Sequence, residues 1–306
     1  MSHRVAGYSY PEGHDITRES APTPAGPSVA RLGVIDYLNV VPVYEWLLRR
    51  QRDEGALPGI ETVAGVPAEM NRALLSGEID ISNVSSFAFG SHADEWLLLP
   101  GLSVAAHGRV DSVLLFSWHG DWRCLDGATV ALTPASATSV QLVRLLCERR
   151  YGIEPRFVTA AEPSLDTMLA DAEAALLIGD TALTEGYHRR SVAGRGQPHV
   201  FDLAAEWEAW TGLPFVFAVW AARADRIENI RASGVMELLR ASKAHGLRSL
   251  PALAEDAARR LELPRAVCER YLRLLDYDLT ERDLEGLKLF LEMTIPGFHW
   301  DAIRFA

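Results

Sequence analysis

The 306-residue sequence has few cysteines, no long apolar run and no excess of positive charge. Its three cysteines, Cys124, Cys147 and Cys268, are far apart and odd in number, which argues against a disulfide framework or a zinc site and favours a reducing, cytoplasmic compartment. The longest apolar run, 215–222, is far shorter than the roughly 20 residues that span a bilayer. A net charge of -11 argues against a dedicated nucleic-acid binder. We therefore expect a globular protein that inserts into no membrane and binds no nucleic acid.

Several catalytic and cofactor motifs are also missing. The sequence contains no GxGxxG or GxxxxGK[ST] phosphate loop, no HExxH metal motif and no GxSxG nucleophile turn. We therefore expect no nucleotide cofactor and no metal, and serine hydrolysis has little support.

The chain pattern predicts an α/β protein preceded by a tail. Residues 1–28 carry four prolines and no continuous apolar stretch or secretory signal, so we expect a flexible tail. From Arg31 onward, short β-branched runs alternate with helical patterns. A capping-box pattern, Thr280 to Asp283, is expected to open one of several C-terminal helices. Strands are predicted at 31–35, 60–64, 79–82, 111–118, 128–132, 174–178 and 213–222.

This order of elements fits two α/β lobes. The first lobe is expected to comprise 29–118 and, through returning C-terminal helices, 221–306, and the second lobe 119–220. Composition alone does not fix the boundary, and the sequence says nothing about oligomeric state.

Three strand-to-loop junctions are rich in hydroxyl and amide side chains, and a fourth ends in a carboxylate. In open α/β sheets ligands bind at the carboxyl ends of strands, and helices that start there attract anions. Each polar residue has the alternative of being an ordinary helix cap. Asp180 is a candidate base or hydroxyl-orienting group, with a turn or cap role equally open. The candidate residues are Tyr37, Asn39, Asn83, Ser85, Ser86, Ser136, Thr138, Ser139, Gly179 and Asp180.

Residues 31 to about 222 resemble the MqnA family of menaquinone biosynthesis, the chorismate dehydratases of the futalosine route. Five matching stretches occur in the family's order. They are 33–39 with Pro42 (GVIDYLN), 77–86 (GEIDISNVSS), 130–139 (VALTPASATS), 176–180 (LLIGD) and 211–220 (TGLPFVFAVW).

The resemblance implies a fold and a reaction. The fold is periplasmic-binding-protein-like of type II, with two lobes around a cleft joined by two crossover strands, expected at 113–118 and 215–220. The reaction converts chorismate into 3-enolpyruvylbenzoate and water without a cofactor.

This chemistry assigns roles to the candidate residues. Ser85, Ser86, Thr138 and Ser139 would bind carboxylates, Asn39 would hold the leaving hydroxyl or the enolpyruvyl group, and Tyr37, Asn83, Ser136 and Gly179 would complete the substrate site. Asn39, Ser86 and Asp180 are the catalytic candidates. No motif histidine or glutamate offers a base, which raises the hypothesis that the substrate's own enolpyruvyl carboxylate removes the ring proton.

Three other functions stay open at this stage. One is a solute-binding protein with the same fold, although no export signal or lipid-attachment cysteine lies near the start. Another is the sibling enzyme that forms 1,4-dihydroxy-6-naphthoate, whose expected histidine is missing after the strand ending at Asp180. A regulatory ligand sensor is weaker, because no DNA-binding motif accompanies the cleft.

Overall fold

Two mixed β-sheets organise the computed structural model, which describes residues 29–192 and 194–306. The expected tail over 1–28 lies outside the described residues. The strands are β1 (Ala30–Ile35), β2 (Ile60–Gly65), β3 (Ile81–Ser85), β4 (Trp96–Ala106), β5 (Val113–Ser117), β6 (Thr129–Leu132), β7 (Arg156–Thr159), β8 (Ala174–Ile178), β9 (His199–Asp202), β10 (Phe215–Arg223) and β11 (Leu275–Asp276).

Helices cover both sheets and fill the C-terminal part of the chain. None of the helices in the described residues is long and apolar enough to cross a membrane. The α-helices are α1 (Val41–Glu54), α2 (Pro67–Ser76), α3 (Ser86–Ser91), α4 (Ala137–Leu145), α5 (Leu165–Asp171), α6 (Gly179–His188), α7 (Leu203–Thr211), α8 (Ile227–Ser233), α9 (Val235–Arg248), α10 (Leu250–Leu261), α11 (Arg265–Leu274) and α12 (Glu281–Thr294).

The two sheets repeat one strand order. The first runs β11-β4-β10-β3-β1-β2 and the second β7-β6-β8-β5-β9. In each sheet three strands run parallel, β2-β1-β3 or β7-β6-β8, and a strand that arrives from the other lobe joins them antiparallel. That incoming strand is β10 in the first sheet and β5 in the second. The chain therefore crosses between the lobes twice.

The sheet to which two strands belong differs from the expected lobe boundaries. β5 was assigned to the first lobe, yet it pairs with β8 and β9 of the second sheet. The first part of β10 was assigned to the second lobe, yet the whole strand pairs with β3 and β4 of the first sheet. We propose that the lobes comprise 29–106 with 215–306, and 113–211. The connections between them are then 107–112 and 212–214.

Local sequence rules explain several elements. Thr280 caps α12, accepting a hydrogen bond from the Asp283 amide, while the Asp283 carboxylate accepts one from the Thr280 amide, so the predicted capping box is confirmed. α9 packs against α1 so closely that a Cβ on Gly246 would lie 1.9 Å from the Pro42 carbonyl oxygen. Only glycine permits that approach, which fixes C-terminal helix α9 on the first lobe.

Strand β3 begins and ends later than the pattern predicts. The predicted strand at 79–82 becomes Ile81–Ser85, and α3 follows at once from Ser86. Asn83 and Ser85, expected in a loop, are thus strand residues. Buried strand residues with small polar side chains were misread as loop, because Ser and Asn favour turns when nothing else is known.

Candidate functional site

A cavity of about 470 Å³ lies between the lobes, where the carboxyl ends of β1, β3, β6 and β8 meet. Its volume falls within the usual range for small-molecule sites. The first lobe contributes residues that include Asn39, Asn71 and Phe217, and the second contributes the stretch around Ser136. Both lobes therefore contact whatever the cavity holds.

Seven of the ten candidate residues line this cavity. They are Tyr37, Asn39, Asn83, Ser85, Ser136, Ser139 and Gly179. These residues come from four separate junctions of the chain, and each junction lies at the carboxyl end of a strand, as the strand-end rule predicts.

The hydroxyls of the second lobe form a small network at the start of α4. Ser136 precedes the helix, and its Oγ accepts a hydrogen bond from the Ser139 amide at 3.1 Å. The Ser136 hydroxyl also donates to Ser139 Oγ at 2.9 Å. Ser136 is therefore the N-cap of α4. The Ser139 hydroxyl accepts the bond from Ser136, so its proton can be donated to a ligand. In the first lobe, Ser85 caps α3 in the same way, accepting from the Ala88 amide.

Two candidates, Ser86 and Thr138, are not among the residues that line the cavity, and their hydroxyls contact the protein itself. The Ser86 hydroxyl is buried and donates to the Val216 carbonyl at 2.7 Å, which ties β10 to the start of α3. Thr138 Oγ1 accepts from the Phe87 amide at 2.9 Å. Because Phe87 belongs to the first lobe and Thr138 to the second, this bond joins the lobes beside the cavity.

Asp180 joins the lobes on another side and also lies outside the cavity lining. Its carboxylate accepts a hydrogen bond from the Leu38 amide at 3.2 Å and pairs with the Arg260 guanidinium at 2.8 Å. Side-chain exposure is 9% for Asp180 and 12% for Arg260. Both partners of the carboxylate belong to the first lobe, so this arrangement favours an interlobe contact over a base.

Asn39 and Asn71 bring amide groups to the wall of the cavity. Asn39 lies in the single turn Leu38–Val40 that follows β1, and Asn71 lies on α2. Within the described part of the chain, the Oδ1 atom of each is buried and has no hydrogen-bond partner. A buried amide oxygen without a partner costs free energy, so each is poised to accept a hydrogen bond from a ligand or water.

The described residues that line the cavity carry no charged side chain. Burial, with the charges of Asp180 and Asp36, raises the pKa of the Tyr37 phenol, which therefore stays protonated and able to donate. An anion held here would be bound by neutral donors and by the starts of α4 and α6.

The cavity lining also includes residues that the sequence patterns did not single out as site residues, among them Ser112, Asn71 and Phe217. Ser112 precedes β5, at the amino end of a strand, whereas the strand-end pattern concerns carboxyl ends. Asn71 sits in an amphipathic helix, where one polar residue predicts a solvent-facing position. The sequence could have indicated Ser112 only through the position of its hydroxyl on the connection between the two lobes.

Comparison with known proteins places this architecture in a family. A family model described as menaquinone biosynthesis matches residues 30–295. A chorismate dehydratase of Thermus thermophilus is 40% identical over 271 residues, which cover 85% of this chain and 93% of the relative. The chain belongs to the menaquinone biosynthesis family. A second relative, a chorismate dehydratase of Campylobacter jejuni, is 27% identical over 186 residues, which cover 61% of this chain and 64% of the relative.

Solved structures confirm the fold expected for this member of the menaquinone biosynthesis family. A Candida albicans protein described as having the generic periplasmic-binding-protein fold superposes with a TM-score of 0.64 at 11% identity, covering 90% of this chain and 92% of that one. At such low identity the likeness concerns the fold alone. The family member thus has a periplasmic-binding-protein-like fold with two lobes around a cleft.

Proposed function

We propose that this protein is a chorismate dehydratase, a hydro-lyase that converts chorismate into 3-enolpyruvylbenzoate and water in menaquinone biosynthesis. The observation that carries the proposal is the 40% identity to the Thermus thermophilus chorismate dehydratase over 93% of that relative. The matching family model, which spans residues 30–295, supports the same pathway.

The cavity suits a small dianion. Ser139 and Ser85 bring hydroxyls from opposite lobes, and α4 and α6 start at its wall. Neutral donors and helix starts stabilise carboxylates without the tight pairing that charged side chains would give. We assign the Ser85 and Ser139 hydroxyls to the substrate carboxylates, with Ser136 orienting Ser139 through its donated hydrogen bond. Asn39 is assigned to the leaving hydroxyl or the enolpyruvyl group.

The reaction needs a base, an exit for hydroxide and little else. A ring C–H bond breaks on the carbon next to the one that bears the leaving hydroxyl, and its electron pair forms a new ring π bond. The C–O bond breaks with its pair on oxygen, which takes up a proton and leaves as water. Because the ring becomes aromatic, the driving force lies in the substrate. Closing the lobes around it would exclude water and strengthen each hydrogen bond.

The substrate's enolpyruvyl carboxylate is the base that the site supports best. The lining residues described here include no carboxylate, and the nearby Asp180 is paired with Arg260. A protein carboxylate beside a dianion would also be repelled. The enolpyruvyl carboxylate, in contrast, belongs to the same molecule as the ring proton that it removes, so binding of the substrate brings both into the cavity together.

Asp180→Asn separates the two candidate bases. We expect weaker chorismate binding with turnover of the bound substrate largely kept, because the variant loosens an interlobe ion pair. Arg260→Gln is the matched variant and should behave alike. Near-total loss of turnover with intact binding in Asp180→Asn alone would instead identify Asp180 as the base.

The direct test is to mix purified protein with chorismate, without added metal or nucleotide, and to follow the aromatic product by chromatography and proton NMR. Chorismate without protein is the required control because it decays spontaneously. Binding without product would indicate a solute-binding protein. No binding and no product would direct attention to the substrate of the 1,4-dihydroxy-6-naphthoate enzyme.

We also propose a cytoplasmic location, supported by the cysteine composition and by the proposed biosynthetic role. Immunodetection of the protein in separated cytosolic and membrane fractions of the source cells tests this, and recovery outside the cytosol would contradict it.

A further inference from the structure

Ser112 brings a buried hydroxyl to the cavity from the first connection between the lobes. Ser112 is 4% exposed and lines the cavity, although it lies in none of the polar strand-end stretches. Its backbone is fixed as well, because the Ser112 carbonyl accepts from the Gly179 amide at 2.7 Å. The hydroxyl is thus held at the point where the second lobe begins.

Tyr271, on C-terminal helix α11, holds that hydroxyl. Its phenol donates to Ser112 Oγ at 3.0 Å, and its side chain is buried in the first lobe. Burial raises the pKa of the phenol, so it stays protonated and remains a donor. A helix more than 150 residues away in sequence therefore reaches the cavity through one hydrogen bond.

The direction of this bond determines what Ser112 can do. A hydroxyl has one proton and two lone pairs, and the tyrosine occupies one lone pair. In the part of the chain that the structure describes, the Ser112 hydroxyl accepts this bond and donates none. Its proton is left for a ligand, and a hydroxyl that accepts a hydrogen bond becomes a better donor.

We propose that Tyr271 is a positioning residue for the dehydration: it orients the Ser112 hydroxyl to donate to the leaving hydroxyl oxygen of chorismate. This inference rests on the proposed function. As the C–O bond breaks, negative charge develops on that oxygen, and the Ser112 hydrogen bond stabilises it. The proton removed from the ring ends on this oxygen, so water is released and neither residue changes overall.

Tyr271→Phe removes the phenol oxygen and leaves the ring in the core. We expect kcat for chorismate to fall about tenfold, the loss typical of one hydrogen bond, while the chorismate dissociation constant changes less than twofold. Ser112→Ala should lower kcat at least as much, and the double variant should be no worse than Ser112→Ala. That pattern assigns the effect of Tyr271 to Ser112.

Tyr277→Phe is the matched control. The Tyr277 hydroxyl is equally buried, and within the described residues it has no hydrogen-bond partner, so its removal should leave kcat unchanged. A merely structural role for Tyr271 would lower the melting temperature with kcat intact, and losses that multiply in the double variant would show independent action; either result overturns the proposal.

The unmodified protein separates this inference from the proposed function. If it forms product and Tyr271→Phe is fully active, only the inference fails. If it forms none, both fail. Should Tyr271→Phe not fold, Ser112→Ala alone decides, because full kcat in that variant leaves Tyr271 nothing to position.

Discussion

At the scale of single residues, the site depends on neutral side chains whose polar atoms await partners. Asn39 is the clearest case, because its Oδ1 is buried, lines the cavity and has no hydrogen-bond partner among the described residues. An amide can both donate and accept, which suits a position beside a substrate hydroxyl or an ether oxygen. Its shape could be kept while its charge is changed.

Asn39→Asp is therefore an informative substitution. A carboxylate about 5 Å from a substrate charge raises the free energy by roughly 3 kcal/mol at an effective dielectric constant near 20. We expect the chorismate dissociation constant, measured by calorimetry, to rise at least tenfold. Asn229→Asp on α8 adds the same charge away from the cavity and should bind normally. Unchanged affinity in Asn39→Asp would place Asn39 outside the substrate site.

Asp202 is a buried carboxylate that ties the two interlobe connections together. It accepts from the Val110 and Asp111 amides of the first connection and from the Ala204 and Ala205 amides of α7, the helix that leads into the second. Burial raises its pKa, despite the opposing effect of these hydrogen bonds.

This raised pKa makes stability depend on pH. Between the unfolded and the folded pKa, the folded protein binds the extra proton, so the contribution of Asp202 to stability is present below the unfolded value and is lost as pH rises through the folded one. Asp202→Asn cannot titrate. We expect the variant to have a lower free energy of unfolding than the unmodified protein, as measured by urea unfolding. The difference between the two free energies should narrow as pH rises from about 4, because only the unmodified protein loses the contribution of Asp202. A difference in unfolding free energy that widens with pH would contradict the raised pKa of Asp202.

At the scale of elements, what the sequence predicts depends on how local the cause is. The capping box at Thr280 and most strands of the two sheets follow from neighbouring residues, as does the grouping of polar strand ends around the cavity. β4, β7, β9 and β11 were missed, and β3 was shifted, because pairing in a sheet overrides local preference. The contacts of Ser86, Thr138 and Asp180 did not follow from the sequence, because their hydrogen-bond partners lie on other elements, far away in sequence.

The bond between Thr138 of α4 and the Phe87 amide of α3 predicts a role in lobe closure. Thr138→Val keeps the shape but leaves that amide without its acceptor in the closed form. We expect KM for chorismate to rise about threefold to tenfold, with a smaller effect on kcat, since one hydrogen bond is worth about 0.5–1.5 kcal/mol. Steady-state kinetics measure this. Thr167→Val on α5, where the hydroxyl donates to the Ser164 carbonyl of the same lobe, is the control. Equal KM in both variants would argue against a closure contact.

At the scale of the whole molecule, charge opposes the proposed substrate. The protein carries a net charge of -11, and the described lining of the cavity supplies no cation to offset it. A dianion therefore approaches against a repulsive field, which dissolved salt screens over about 10 Å at 0.1 M. Binding then depends on the hydrogen bonds made after arrival.

We accordingly expect kcat/KM for chorismate to increase, roughly twofold or more, between 10 and 150 mM NaCl. KCl at equal ionic strength should give the same increase, which separates screening from binding of a particular ion. A decrease with salt would instead reveal a local positive potential that attracts the substrate.

The double crossing of the chain also sets an order for folding during synthesis. β10 lies between β3 and β4, so the first sheet keeps a gap until residues 215–223 have left the ribosome. All five strands of the second sheet come from one continuous stretch, 113–202, and are made before that gap can be filled. The nascent chain can thus complete its later-starting lobe first. The earlier-starting lobe, with its side of the cavity, matures last.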